Sequence, residues 1–190
     1  MVTSARWYLG FLLLLCVERL VELWLSRRNA RRAFAAGGVE SGQRHYVVMV
    51  IVHALFPLAC AGEVLGLRRG FPGPLGVAAL IAALVAQGLR WWVIATLGVR
   101  WNTRIIVVPG AVPVVDGPYR FLRHPNYLAV MIEVAAVPLV HGAWLAAVVF
   151  TFANAALLLV RIPAEERALG PAYAAALAHR PRFLPGVPGA

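Results

Sequence analysis

Apolar residues fall in five blocks, 7–25, 46–67, 74–97, 127–140 and 143–160, separated by short charged or turn-rich stretches. A helix needs about 20 apolar residues to cross a bilayer, and the first three blocks reach that length. The fourth has 14 residues and carries Pro138, and only His141 and Gly142 part it from the fifth. The pattern therefore predicts three full spans followed by a helical hairpin whose first arm is short for a crossing. Between the third and fourth blocks, residues 105–115 mix β-branched side chains with Pro109, Gly110 and Pro113, which predicts an extended loop and no regular helix. The fold expected is all-α: a polytopic membrane protein of about five transmembrane helices. Residues 1–97 form an N-terminal helical part and 98–190 a C-terminal part with the loop, the hairpin and a tail.

Composition agrees. The chain is 61% hydrophobic and 14% charged, too apolar for a soluble domain of 190 residues. The net charge is +10, and all 18 basic residues are Arg. They cluster between the apolar blocks, a pattern that suits anionic headgroups and membrane topology and not nucleic acid. With five spans, residues 27–44, 99–126 and the tail share one membrane face. That face holds 13 Arg against Glu40, Asp116, Glu165 and Glu166, a net +9, while the other holds Arg6, Arg68 and Arg69. The excess predicts a cytoplasmic C-terminus and an external N-terminus. The Ala, Gly and Arg richness without Lys suggests a GC-rich bacterial source, hence a bacterial cell membrane. No small-residue cleavage site follows the first apolar block, so it reads as a retained span.

Ionisable groups inside apolar spans are candidates for function. Here they are Glu18, Arg19, Glu22, His53, Glu63, Arg90 and Glu133. Glu18 and Glu22 lie one turn apart on one face, where Arg19 or Arg90 would neutralise them, so pairing between helices is expected for these four. Glu63, near a helix end, is expected on a solvated rim. His53 reads as a hydrogen-bonded buried side chain with catalysis as the alternative, and Glu133 remains open between structure and function. Cys16 and Cys60 show no ligand or disulfide spacing and read as small buried residues.

The chemically densest stretch reads Gly117-Pro118-Tyr119-Arg120-Phe121-Leu122-Arg123-His124-Pro125-Asn126-Tyr127. It offers a turn, two cations, an imidazole, a proline able to start a helix and two phenols. On these residues alone, an interfacial belt of Tyr and Arg anchors and a pocket for a polar cofactor fit equally well. A second cluster follows the last block: Arg161, Glu165, Glu166 and Arg167. Arg161 and Glu165, four apart, share a face if the helix continues.

Gly-Pro-Tyr at 117–119, Arg-His-Pro-Asn-Tyr at 123–127, Arg161 with Glu165 and Glu166, Tyr173 and the Arg-Pro-Arg-Phe-Leu-Pro run at 180–185 together resemble the isoprenylcysteine carboxyl methyltransferase family. These are integral membrane enzymes that use S-adenosyl-L-methionine, and the likeness covers roughly residues 98–187. It implies a cofactor pocket at the cytoplasmic face lined by Tyr119, His124, Pro125, Asn126 and Tyr127. Glu165 would bind the cofactor through its ribose hydroxyls or amino group, with backbone contacts from Ala111, Val112, Pro113 and Val114. Arg161 would face the acceptor oxygen. Two departures stand out. The interval from Glu165 and Glu166 to Gly170 and Tyr173 is about one turn short, and Arg104 stands where eukaryotic members have an uncharged polar residue.

Glu22, the Ser-Arg-Arg-Asn run at 26–29 and His53 look more like a bacterial branch found beside type III polyketide synthases, which methylates alkylresorcinols or alkylpyrones. The resemblance thus implies O-methylation of an amphipathic lipid, phenolic or pyrone, in contact with membrane lipids. A phenol would need a base, for which Glu133 and His53 are the candidates. The alternatives are carboxyl methylation of isoprenylated cysteine, phospholipid N-methylation and a non-enzymatic membrane binding protein.

Overall fold

The computed structural model describes residues 2–183. Five α-helices carry the chain: α1 (Val2–Ala35), α2 (Gln43–Gly66), α3 (Pro74–Leu97), α4 (Pro125–Leu139) and α5 (Trp144–Ala176). Residues Gln43–Gly66, Pro74–Arg100 and Trp144–Ala176 are each long and apolar enough to cross a membrane. This is an integral membrane protein. The 15 residues of α4 extend only about 22 Å, short of a hydrocarbon core of about 30 Å.

The predicted bounds of α3 match the helix, because Pro74 opens its first turn and Gly98, at φ 52, ends it. α1 and α5 run past their apolar blocks by a further 10 residues or more at one end. Their charged extensions lie beyond the apolar blocks, where hydropathy gives no signal. α5 bends at Gly170, whose φ of 76 and ψ of −173 are not helical, and Pro171 starts the next turn.

The helices are held by small residues and by ion pairs. Ala79, Ala83 and Ala86 repeat at helical spacing along α3 and are buried, and the first two join Val130, Val134 and Val137 of α4 in the main core. Small side chains let two backbones approach closely where lipid offers no hydrophobic drive to helix association. Outward-facing Leu13, Leu14, Leu58, Leu84, Phe152 and Leu159 are well exposed, as a lipid-facing surface requires. α2 and α5 run antiparallel, since Phe56 meets Phe150 edge-on at 5.4 Å between ring centroids and Glu63 reaches Leu145 and Ala146.

That last contact corrects the reading of Glu63 as a solvated rim residue. Its carboxylate accepts the backbone N–H of Leu145 at 3.1 Å and of Ala146 at 2.8 Å, and its side chain is only 6% exposed. These are first-turn donors of α5, which have no partner within their own helix. α2 therefore caps α5, and Arg69 completes the site at 3.1 Å. Tyr8, stacked on His141, donates to the Val137 carbonyl at 3.2 Å at the same end.

At the opposite end, β1 (Val39–Ser41) pairs antiparallel with β2 (Ile105–Val107). The extended reading of 105–115 holds for β2, but the ribbon adds a small sheet to a helical fold. Arg104 forks onto both oxygens of Glu40 across it, so the Arg104 departure has its counter-charge within the chain. Residues 39–41, 105–107 and the charged part of α5 meet here.

Candidate functional site

Gly117 sits at φ 55, and a Cβ there would come within 2.3 Å of the Thr96 hydroxyl oxygen. Only glycine lets the chain turn so close against α3. The turn Gly117–Arg120 then drives Tyr119 into a small core with Val93, Ile94 and Trp101. Burial there, with Glu165 nearby, pushes the Tyr119 phenol well above its ordinary range, so it stays a neutral donor. Pro125 opens α4, which fixes His124 just ahead of the helix and puts Asn126 and Tyr127 in its first turn.

These residues close on α5. Tyr127 Oη donates to Glu165 Oε2, and Arg161 Nε donates to Tyr127 Oη at 3.0 Å. Arg161 Nη2 also donates to the Thr103 carbonyl at 2.5 Å, while its buried Nη1 has no partner. His124 Nε2 lies 2.9 Å from Glu166 Oε1, whose carboxylate also holds Arg182 at 2.7 Å. The tail is pinned over this cluster. The Arg123 N–H donates to the Pro181 carbonyl at 2.9 Å, that of His124 to the Arg182 carbonyl at 3.3 Å, and Tyr173 Oη to the Arg123 carbonyl at 2.9 Å. The short interval before Tyr173 is thus absorbed by the bend at Gly170, and Tyr173 still reaches the motif. Leu184 and Pro185 of the resemblance lie outside the described residues.

A cavity of about 380 Å³ runs from this cluster into the helix bundle. Tyr119, His124, Asn126, Tyr127, Arg161 and Glu165 line it at one end, and His53 lines it further in. The other sequence candidates lie elsewhere. Pro125 is buried at the helix start. Ala111 and Val112 are exposed, with the Val112 carbonyl held by Arg100, and Val114 packs against the Tyr119 core; Pro113 is half-buried beside it. None of these five lines the cavity.

Deeper in, the expected pairing among Glu18, Arg19, Glu22 and Arg90 is present, and Glu133 belongs to it. Arg19 Nη1 bonds Glu22 at 2.8 Å and Nη2 approaches Glu133 at 3.7 Å. Arg90 joins Glu133 directly and faces Glu22 at 3.6 Å. Glu133 sits behind Arg90 and does not line the cavity, whereas Glu22 and Arg90 do. Across from them, His53 Nδ1 lies 2.8 Å from the Met49 carbonyl. A carbonyl only accepts, so Nδ1 carries the proton, and in the neutral ring Nε2 is left with its lone pair.

One lining residue escaped the sequence reading. Asn154 of α5 is 3% exposed, lines the cavity and makes no hydrogen bond among the described residues. Its signal was present: an uncharged amide inside an apolar block, seven residues before Arg161 and so on the same helical face. A survey of ionisable groups alone passes over it.

Comparison with known proteins supplies a frame for this geometry. The model of the isoprenylcysteine carboxyl methyltransferase (ICMT) family matches residues 78–171. The chain is also similar to the uncharacterized protein YpbQ of Bacillus subtilis (strain 168), with 40% identity over 158 residues, which is 82% of this chain and 92% of that protein.

Proposed function

Because this chain belongs to the isoprenylcysteine carboxyl methyltransferase family, we propose that it transfers a methyl group from S-adenosyl-L-methionine to an oxygen of an amphipathic lipid, a phenolic or pyrone polyketide lipid. The cofactor occupies the Tyr119–Glu165 end, which faces the cytoplasm, and the lipid occupies the rest of the cavity. In this reading α1 is a further span and α4 with α5 is the hairpin. The observation that carries the proposal is the continuity of the cavity, from a polar cluster at one end of the bundle to the half-buried imidazole of His53 among apolar Val50, Ala54 and Pro57.

The residues at the polar end fit the cofactor. Glu165 offers a carboxylate to ribose hydroxyls or an ammonium group, and Asn126 Oδ1 is buried without a partner. When bound, S-adenosyl-L-methionine supplies an electrophilic methyl group on a sulfonium centre. Tyr127 holds Glu165 and Arg161 in register. Arg161 turns its unpartnered Nη1 towards the acceptor oxygen and stabilises negative charge there as the proton leaves. His53 Nε2 takes that proton. Glu133 is engaged by Arg90 and Arg19, so His53 fits the base role better, and Glu133 acts by holding Arg90.

Binding of S-adenosyl-L-methionine to the purified protein, followed by transfer of its labelled methyl group to extracted bacterial lipids, tests the reading. The expected product is a methyl ether of an alkyl phenol or alkyl pyrone. No measurable cofactor binding removes the methyltransferase reading, and label recovered instead as a prenylcysteine ester or a methylated phospholipid amine replaces the acceptor.

A further inference from the structure

The arginines that crowd one membrane face divide into two kinds. Arg100, Arg104, Arg123, Arg161, Arg180 and Arg182 each donate to a carbonyl or carboxylate within the chain. Arg27, Arg28, Arg31 and Arg32, near the end of α1, have no hydrogen-bonded or ion-paired partner for their side chains among the described residues. The first carboxylate after them in the chain, Glu40, is taken by Arg104.

The helix places these four. α1 has 34 residues and runs about 51 Å, well over a hydrocarbon core of about 30 Å. Asn29 Nδ2 donates to the Gly98 carbonyl at 3.0 Å and to the Trp101 carbonyl at 2.8 Å. Gly98 caps α3, and the spanning stretch of α3 ends at Arg100. The arginines on either side of Asn29 therefore stand level with a membrane surface. At 3.6 residues per turn, Trp24, Arg27, Arg28, Arg31 and Arg32 share one face within an arc of about 140°, and Ser26, Asn29 and Ala30 share the other. Exposure follows that division. Arg27, Arg31 and Arg32 are exposed and Trp24 is 58% exposed, whereas Ser26, Asn29 and Ala30 are buried. The Thr103 N–H donates to Ser26 Oγ at 3.0 Å, so the buried side is fixed to the loop and the outer face is held in one orientation.

We propose that this outer face of α1 is a binding site for an anionic phospholipid. Its chemistry is graded with depth. Trp24 lies five residues inward of Asn29, about 7.5 Å, where an exposed indole meets the boundary between acyl chains and headgroups. The Arg28 guanidinium lies over that ring at 5.2 Å, and Arg31 and Arg32 continue outward. A guanidinium fork pairs with both free oxygens of a phosphodiester. Four guanidiniums with no carboxylate among them select a lipid of net negative charge. Phosphatidylcholine also carries a phosphate, but its own choline cancels the charge. An acidic protein segment would match the arginines and leave Trp24 without a counterpart. A lipid meets both.

Protein purified in a neutral detergent is titrated with phosphatidylglycerol or with phosphatidylcholine, and the bound lipids are counted by native mass spectrometry. The wild-type protein is expected to bind the first phosphatidylglycerol at least about fivefold more tightly than phosphatidylcholine, since one arginine at a lipid surface contributes about that factor. Arg27→Gln with Arg31→Gln is expected to lose that preference. Arg44→Gln with Arg167→Gln removes the same charge from exposed positions on the same membrane face and is expected to keep it. If the first pair does not elute as folded, monodisperse protein, Arg31→Gln with Arg32→Gln is read in its place. A wild-type protein that binds the two lipids equally overturns the site, and so does an α1 variant that keeps the preference. Equal losses in both double variants overturn it as well, because they assign the binding to net charge and not to α1. The readout involves no methyl transfer, so the reaction proposed above stands or falls separately.

Discussion

At the Tyr119–Glu165 end, polar groups from three short stretches of chain bond one another, Tyr127 to Glu165, Arg161 to Tyr127, and His124 and Arg182 to Glu166, with Asn126 Oδ1 and Arg161 Nη1 left open. At the deep end they come from α1, α2, α3 and α5, and several are left open. Asn154 has no bond, Glu22 Oε1 is buried without a partner, and His53 uses one ring nitrogen on its own helix. A site whose ligand is fixed can be prebuilt from a compact motif. The deep end is instead assembled from single residues on separate helices, as the proposed lipid site would require.

Variants that uncouple the two ends test this contrast. The largest effect is expected from His53→Asn. Loss of a general base costs typically 10²–10⁴-fold, so turnover of a hydroxylated acceptor falls by about that much while cofactor affinity stays unchanged. Added imidazole restores part of the rate, and full turnover in the variant removes His53 from the chemistry. Glu165→Gln acts in the opposite sense. Loss of a charge-assisted hydrogen bond lowers cofactor affinity about tenfold to a hundredfold in a titration and leaves the preference among acceptors as it was. A changed preference would show that the two ends are not separate. Glu63→Gln touches neither end. It weakens the cap on α5 by about 1–2 kcal/mol, which appears as a lower thermal midpoint in detergent with cofactor affinity intact.

The same contrast explains what could be read from the chain. The Tyr119–Glu165 cluster was legible because Tyr119, His124, Asn126 and Tyr127 sit within nine residues, and Arg161 and Glu165 repeat at helical spacing. α3 was legible to its bounds because Pro74 and Gly98 punctuate it. The ribbon was not, since its strands have three residues each and pair Glu40 with Ile106, a contact too remote for local pattern. Glu63 looked like a rim residue because its partners, two backbone N–H groups of α5, leave no trace in side-chain identity. Asn154 was overlooked because it carries no charge, and Glu133 was put beside the chemistry because spacing along α4 does not reveal that Arg90 stands in front of it.

The pairing of Arg90 with Glu133 also bears on how the protein reaches its membrane. Glu18, Arg19, Glu22 and Arg90 belong to α1 and α3, and their four charges cancel. Glu133 arrives on α4, which is only 15 residues long. A segment that short with a carboxylate in its middle partitions poorly into lipid on its own. Ribosomal synthesis delivers Arg90 before Glu133, so the guanidinium is already within the bilayer when the carboxylate emerges, and α4 enters as a guest of helices that precede it.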